Sequence, residues 1–296
     1  MSSSKPASLS PVVDVSALVH SPRRMPLVMG ILNVTPDSFY PESRLPGTQA
    51  AVDRALKMCE EGADLLDIGG QSTRPGSDPI SLGDETLRVL PVVEALAGRV
   101  KVPLSIDTDK AEVARLALEA GASMINDVSA FRNDDKMLEV CLRASGVIIM
   151  HRGGQNPKTM QQAPAYRDVV AEVADFLAER VRSFGEAGGE LKRVMVDPGI
   201  GFGKDQGHNF SLLKHLDVFA ALGRPVVLGV SRKSFLGRVI APPHQVISEV
   251  EPGERLEASL AVACWGMLSG VKILRVHDVQ ATRRALSSIA AVLSAN

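Results

Sequence analysis

The chain has 296 residues, enough for one large domain or two ordinary ones, and 45% of them are hydrophobic. That proportion favours a globular protein with a substantial core. A formal net charge of -1 and an aromatic content of 4% argue against a nucleic-acid partner, because they supply neither a basic field nor a base-stacking surface. The longest uncharged apolar run, residues 258–271, is too short to cross a bilayer, so no membrane partner is expected.

Residues 1–25 are rich in Ser and Pro and form a predicted N-terminal extension. Arg23 and Arg24 follow the apolar stretch at 12–19, whereas the basic residues of a signal peptide precede its apolar stretch. We expect a mobile or edge-packing tail, with a transit peptide as the alternative. Three cysteines without a CxxC motif make a disulfide framework unlikely on chemical grounds, so a reducing cytoplasm is the simplest compartment.

From residue 26 onward, short apolar runs alternate with longer amphipathic segments. The predicted strands are 27–32, 65–68, 102–106, 124–126, 147–150, 193–196, 226–229 and 272–275. The predicted helices are 49–61, 84–96, 110–119, 135–143, 166–186, 209–222, 255–268 and 279–293. Eight such units match a closed barrel better than an open doubly wound sheet. No GxGxxG opens a helix and no linker divides the chain. The predicted fold class is therefore α/β, a single (β/α)8 TIM barrel spanning residues 26–296.

Polar clusters follow nearly every predicted strand, which is where barrel enzymes carry their active sites. A lone Asp after a strand is usually a helix cap, as we expect of Asp109 for the helix that Gly121 ends. Six or more polar clusters at one rim of the predicted barrel instead favour an active site. These clusters contain Asn33, Asp67, Asp107, Asn126, His151, Asp197, Lys233 and Arg275.

Carboxylates at Asp67, Asp107 and Asp197 would crowd together at this rim unless cations or ligands offset their charge. The available cationic side chains are Arg74, Lys233, Arg275 and His277. This combination suits a ligand with a hydrogen-bonding ring at one end and an anionic group at the other.

Motifs at these strand ends resemble those of the dihydropteroate synthase family. They occur in that family's order and cover residues 27–279. The motifs are MGILNVTPDSF, GADLLDIGGQSTRPG, PLSIDT, INDVSAF, VMVDPGIGFGK, LGVSRKSFLG and ILRVHDV. The resemblance implies an enzyme that joins 6-hydroxymethyl-7,8-dihydropterin diphosphate to 4-aminobenzoate and releases pyrophosphate. Loss of pyrophosphate would precede attack by the aromatic amine, so catalysis would consist of stabilising the leaving charge and positioning two substrates.

For the pterin ring, the resemblance implies Asp107, Asn126, Asp197 and Lys233. A carboxylate can accept from the N–H and NH2 edge of a pterin in bidentate fashion, and Asp197 is our choice for that role. Val128 and Met150 resemble residues that line the flat faces of the ring, along with Phe202, although Val128 and Met150 could equally be ordinary core. Arg232 is expected to lie against the ring instead of forming a salt bridge.

For the diphosphate, the resemblance implies Thr73, Arg275, His277 and the backbone of Val276, with Asn33 as the protein ligand of Mg²⁺. The residues expected to be catalytic are Thr73, Lys233, Arg275 and His277. For 4-aminobenzoate, the residues implied are Phe39, Arg74, Pro75, Phe202, Lys233 and Ser234, the last at the start of a helix that favours the carboxylate. A homodimer is also implied, with Trp265 and Met267 either at its interface or in the core.

The first loop departs from the family, which commonly has SFSDGG where this chain has Pro41 and Glu42 after Tyr40. Gln71 stands where Glu is common, and Arg152 where Met is common. Two alternatives remain: a methyltetrahydrofolate-binding methyltransferase barrel, and a non-catalytic pterin-binding paralogue. The SRKS and STRPG motifs argue against the first, and the retained diphosphate ligands argue against the second.

Overall fold

The computed structural model describes residues 14–35, 46–72, 77–154, 164–241 and 250–295. Eight parallel strands form a barrel surrounded by helices, which confirms the predicted fold class. The strands are β1 (Leu27–Asn33), β2 (Leu65–Gly69), β3 (Leu104–Asp107), β4 (Met124–Asp127), β5 (Gly146–Met150), β6 (Val194–Asp197), β7 (Val227–Gly229) and β8 (Ile273–Val276). The α-helices are α1 (Val15–His20), α2 (Pro46–Glu60), α3 (Leu82–Leu96), α4 (Ala111–Glu119), α5 (Met137–Cys141), α6 (Val169–Glu186), α7 (Gln206–Lys214), α8 (Leu216–Ala220), α9 (Ser234–Ile240), α10 (Leu256–Leu268) and α11 (Val279–Leu293). None of these described helices is both long and apolar enough to span a bilayer.

The strands follow the order β6–β5–β4–β3–β2–β1–β8–β7. Between β6 and β7, the described residues form one isolated bridge, Val196 with Val226. Beside it, the Val196 N–H donates to the Pro225 carbonyl at 3.0 Å. This narrow seam, which we call the β6–β7 seam, closes the barrel.

Alternate residues of each strand point to opposite faces, so the barrel wall carries two apolar layers. The outer layer, which includes Leu66 and Leu274, packs against the helices. The inner layer includes Leu65 and Ile273 at the amino ends of their strands. Because both faces of the parallel sheet are covered, the strands read as nearly continuous hydrophobic runs.

Helix α1 closes the amino-terminal end of the barrel. Its Val15 and Val19 are buried and belong to the inner apolar layer. A Cβ atom on Gly146, the first residue of β5, would lie 2.7 Å from the Val15 side chain, so the two approach closely. Of the two options for the extension, a mobile or an edge-packing tail, residues 15–20 therefore show the second, with Val15 and Val19 in the inner apolar layer.

The structure corrects two local predictions. The segment 209–222 is two helices, α7 and α8, that meet at His215, where φ is -112° and ψ is 40°. Asp109 does not cap α4, because the Ala111 N–H donates instead to Asp134 at 2.9 Å. Gly121, with φ of 114°, follows the end of α4 as predicted.

Candidate active site

The inner face of the barrel changes from apolar to polar toward the carboxyl ends of the strands. Leu65, Met124 and Ile273 belong to the apolar inner layer. Two residues later on the same strands, and hence on the same face, stand Asp67, Asn126 and Arg275. Ser105, in register with Asp67 on β3, and Asp197 on β6 complete this buried polar layer.

Arg275 connects the carboxylates of two other strands. Its Nε donates to Asp67 Oδ2 and its Nη2 donates to Asp107 Oδ2, both at 2.6 Å. Asn126 Nδ2 donates to the same oxygen of Asp67 at 2.9 Å. Burial alone would lower the pKa of Arg275, but the two carboxylates raise it above its ordinary value, so the guanidinium stays charged. The predicted offset of carboxylate charge is thus observed.

Asp107 lies at the rim of this layer, at the end of β3. Burial raises its pKa to about 8, while Arg275 opposes the rise and Asp67 adds to it. Its Oδ1 is buried and has no hydrogen-bond partner among the described residues, and the same holds for Asp67 Oδ1 and Ser105 Oγ. Buried polar atoms usually have partners, so this part of the barrel suits a polar ligand.

Lys233, which follows β7, contacts the loop that follows the neighbouring strand β6. Its Nζ donates to the Ile200 carbonyl and lies 4.4 Å from the centroid of the Phe202 ring. Burial lowers the pKa of Lys233 to about 8, with Asp197 opposing that change and Arg275 adding to it. The structure therefore brings together Asp197, Phe202 and Lys233, as the sequence predicted.

Asp197 ends β6 beside this lysine. Its Oδ1 accepts from the Gly199 N–H at 2.7 Å. Burial raises the pKa of Asp197, while Lys233 and the Gly199 N–H favour the charged form. Its carboxyl group is thus oriented by its own loop and balanced by a cation from the other side of the β6–β7 seam.

His277 is held by groups that the sequence did not single out. Its backbone N–H donates to Ser231 Oγ at 3.2 Å, and its Nδ1 lies 3.1 Å from the same oxygen. Arg54 Nη2, from α2, donates to the His277 carbonyl at 3.0 Å.

The expectation that Arg232 lies against the ring is wrong in this structure. Arg232 forms a bidentate ion pair with Asp278 through Nε at 2.8 Å and Nη2 at 2.5 Å.

The remaining predicted residues occupy different parts of the rim. Asn33 ends β1 in register with Gly69, and Ser234 begins α9. Val276 faces the outer apolar layer, which leaves its backbone for the site. Val128 and Met150 are buried but belong to neither apolar layer. Four predicted residues, Phe39, Thr73, Arg74 and Pro75, lie outside the described residues, as do Pro41 and Glu42.

A hydrogen-bond network around the buried Glu85 and Thr108 supports the loop that joins β2 to α3, and the sequence did not predict it. Thr108 Oγ1, next to Asp107, donates to Glu85 Oε1 at 2.6 Å. Lys110 Nζ donates to Glu85 Oε2 at 2.5 Å and to Gln71 Oε1 at 2.8 Å. The same Gln71 oxygen accepts from the Ile80 N–H at 3.1 Å, so this network ties together both described ends of the loop.

Arg152 is also buried near the rim, although Arg is uncommon there in the resembling family. Its Nη2 donates to Asn133 Oδ1 at 3.1 Å, and its Nη1 lies 3.7 Å from Asp109. The charge of Arg152 is therefore directed at neighbouring loops.

Comparison with known proteins gives one consistent result. A family model described as pterin binding enzyme matches residues 29–277. The dihydropteroate synthase of Escherichia coli (strain K12) is 43% identical over 270 residues, which cover 91% of this chain and 93% of that protein. The structure of Xanthomonas albilineans dihydropteroate synthase with 4-aminobenzoic acid has a TM-score of 0.83 and 43% identity, covering 92% of this chain and 94% of that one. The Burkholderia cenocepacia dihydropteroate synthase complexed with 7,8-dihydropteroate has a TM-score of 0.80 and 46% identity, covering 91% and 92%.

The raised pKa of Asp107 predicts a pH-dependent stability. Between the unfolded pKa of about 3.9 and the folded pKa of about 8, the folded protein binds more protons, so the free energy of unfolding falls as pH rises. We expect Asp107→Asn to remove this contribution, which is on the order of a few kcal/mol across that range. Urea denaturation at pH 5 to 8 measures it, with the exposed Asp175→Asn as control. An Asp107→Asn variant that keeps the wild-type slope would contradict the assignment.

Proposed function

This chain belongs to the dihydropteroate synthase family of pterin binding enzymes, and on that premise we propose how its own residues divide the reaction. The protein is a transferase of folate biosynthesis that condenses 6-hydroxymethyl-7,8-dihydropterin diphosphate with 4-aminobenzoate. The C–O bond to the diphosphate breaks, and the leaving group keeps the electron pair. The amine nitrogen then forms the C–N bond and loses a proton, giving 7,8-dihydropteroate and pyrophosphate. The observation that carries this proposal is the buried polar layer that joins Arg275 to two carboxylates and leads to Asp197 and Lys233.

Asp107, Asn126, Asp197 and Lys233 bind the pterin ring. Asp197 accepts from the N–H and NH2 edge, which its orientation by the Gly199 N–H supports. Val128 and Met150 line the faces of the ring, an assignment supported by their burial outside both apolar layers.

Arg275, His277, Thr73 and the Val276 backbone bind the diphosphate and stabilise its charge as it leaves. Two of the five N–H groups of Arg275 are used on Asp67 and Asp107, which fixes the plane of the guanidinium before substrate arrives. Ser231 and Arg54 fix His277 in the same way. Donors that are already oriented stabilise developing charge without reorganisation during the reaction.

Asn33 is the proposed protein ligand of Mg²⁺. The described residues contain no group of three or more His, Cys, Asp or Glu side chains that could hold a metal ion by themselves. One amide oxygen at the end of β1 suits an ion that prefers oxygen ligands and takes the rest of its ligands from water and phosphate. Bound there, Mg²⁺ would neutralise charge on the departing diphosphate.

The 4-aminobenzoate half of the site combines loops with the start of α9. Phe202 and the stem of Lys233 form one side of its ring pocket, which their contact supports. The family resemblance assigns Phe39 and Pro75 to the same pocket and Arg74 to the neighbourhood of the diphosphate. Ser234, the first residue of α9, receives the carboxylate. The amine is thus directed at the carbon that the diphosphate leaves.

A homodimer through α10 is consistent with the outer face of that helix. Ala261, Trp265 and Leu268 recur at helical spacing, and all three side chains are exposed, Trp265 by 48% and Leu268 by 55%. Met267 is buried and belongs to the core. An exposed apolar stripe of this kind is typical of an interaction surface.

We place the enzyme in the cytoplasm, a compartment supported by three cysteines that remain free.

Removing Lys233 should abolish most turnover. We expect Lys233→Ala and Arg275→Ala to lower amine-dependent pyrophosphate release by at least about 100-fold, because each removes a cation from the reacting groups. The exposed Lys214→Ala is the matched control, and circular dichroism checks folding. Normal turnover in a variant would refute the role of that residue. Wild-type release that does not require the amine would indicate hydrolysis, and no release would favour a non-catalytic pterin-binding protein.

Replacing Asn33 should weaken the response to Mg²⁺. We expect Asn33→Ala to raise the Mg²⁺ concentration needed for half-maximal binding of the dihydropterin diphosphate by roughly tenfold, since an oxygen ligand is lost. Calorimetric titration at a series of Mg²⁺ concentrations measures this without turnover. Asn33→Asp, which keeps an oxygen ligand, should preserve the Mg²⁺ response. An unchanged requirement in Asn33→Ala would remove this residue from the metal site.

A charge on the α10 stripe should prevent dimer formation. We expect Leu268→Glu to sediment as a monomer, because pairing would bury an unpaired carboxylate. Leu87→Glu, at an even more exposed leucine on α3, is the control and should leave the oligomeric state unchanged. A Leu268→Glu dimer would place the interface elsewhere.

A further inference from the structure

We propose that Lys204 is a positioning residue that fixes the loop at residues 199–203 beneath Lys233 and Phe202. This inference rests on the proposed function, because its consequence is the placement of 4-aminobenzoate. The amino group of this side chain is enclosed by protein atoms, so Lys204 would act on substrate through the loop.

The Lys204 side chain is 3% exposed and has four acceptors around Nζ. The carbonyls of Gly199 and Phe202 lie at 2.9 and 3.0 Å, and the carbonyl of His151 lies at 3.3 Å. His151 Nδ1 lies at 2.9 Å. Burial lowers the pKa of Lys204, while Asp197 opposes that change. The four acceptors favour the charged form, because an ammonium has three protons and no acceptor. One side chain thereby connects both ends of the loop to the end of β5.

The backbone of the loop can follow this path only with glycine at its turning points. Gly199, Gly201 and Gly203 all have positive φ angles, of 67°, 83° and 65°. A Cβ atom on Gly199 would lie 1.8 Å from the His151 carbonyl oxygen. Glycine permits this conformation but does not enforce it, because it is the most flexible residue in the unfolded and the folded chain. The hydrogen bonds of Lys204 supply that constraint.

The fixed loop bears directly on the two residues proposed to hold 4-aminobenzoate. Ile200, whose carbonyl accepts from Lys233, lies between the two loop carbonyls that Lys204 binds. Phe202, whose ring lies 4.4 Å from Lys233 Nζ, provides the second of these carbonyls. A loop displaced by the loss of Lys204 would therefore move a ring-stacking surface and release the lysine from its carbonyl. The Asp197 carboxylate, which ends β6, would be affected less.

His151 contributes an acceptor because it stays neutral. Burial, together with the charges of Lys204 and Arg132, lowers its pKa to about 2. Its backbone N–H donates to the Asp197 carbonyl at 3.0 Å, so the same residue joins β5 to β6 below the loop. Lys204 and His151 together therefore connect the loop at 199–203 to the ends of β5 and β6.

The test replaces Lys204 with residues of similar length. We expect Lys204→Met to raise the KM for 4-aminobenzoate by at least about tenfold, since small displacements of substrate-positioning groups are costly. Binding of the dihydropterin diphosphate, measured by calorimetry, should weaken less than the KM for 4-aminobenzoate rises, because Asp107, Asn126 and Asp197 stand on strand ends and only Lys233 and Phe202 depend on the loop. Lys204→Gln, which keeps two N–H donors, should show a smaller increase in KM and serves if the Met variant fails to fold. The exposed Lys214→Met is the matched control and should behave as wild type.

A second measurement follows the loop itself. Amide hydrogen exchange at Gly201 and Phe202, whose N–H groups donate to Asn209 Oδ1 and the Gly199 carbonyl, should become faster in the Lys204 variants. A lower melting temperature with unchanged KM and unchanged exchange at these two amides would reduce Lys204 to general stability and overturn the proposal. Absence of amine-dependent pyrophosphate release in the wild-type enzyme would overturn the proposed function itself, and the positioning role with it.

Discussion

The double ion pair of Arg275 with Asp67 and Asp107 is the interaction on which the rest of the site depends. It connects β8 with β2 and β3 across the inner face of β1. Without the cation, the buried Asp67 carboxylate would lose its ion pair, a loss worth about 3–5 kcal/mol in comparable buried pairs. Because the pairs are formed by strands, the polar layer is fixed by the same hydrogen bonds that build the barrel. The barrel thus accommodates charged side chains in its interior, where the Arg275 guanidinium is available to an anionic ligand.

The two halves proposed for the site, one for the pterin and one for 4-aminobenzoate, differ in how they are held. The pterin half stands on strand ends, whose positions are set by the sheet register. The 4-aminobenzoate half stands on the loop at 199–203 and on the start of α9, and its order depends on individual side chains such as Lys204. Lys233 belongs to both halves, since Asp197 faces it on one side and Phe202 on the other. The loop contacts of the proposed 4-aminobenzoate half can therefore vary while the barrel stays the same.

The sequence predicted the eight strands to within two residues because buried parallel strands are uniformly apolar and end at polar clusters. It also predicted which polar residues converge, since all strand ends of a barrel meet at one rim. It missed α1, whose two buried valines are too few to show a period. The sequence did not indicate the role of Lys204, because three of its four acceptors are backbone carbonyls, which every type of residue has. Asp109 and Arg232 were misassigned because the partners that recruit them come from distant positions.

The narrow β6–β7 seam has a consequence for the free enzyme. Asp197 ends one of these strands and Lys233 follows the other, so the ligands proposed for one ring come from both sides of the weakest junction in the sheet. Local opening of a fold begins where backbone hydrogen bonds are fewest. A bound pterin would connect the two strands, so part of its binding free energy would stabilise the closed form of the barrel. Substrate is in this sense a structural component of the barrel.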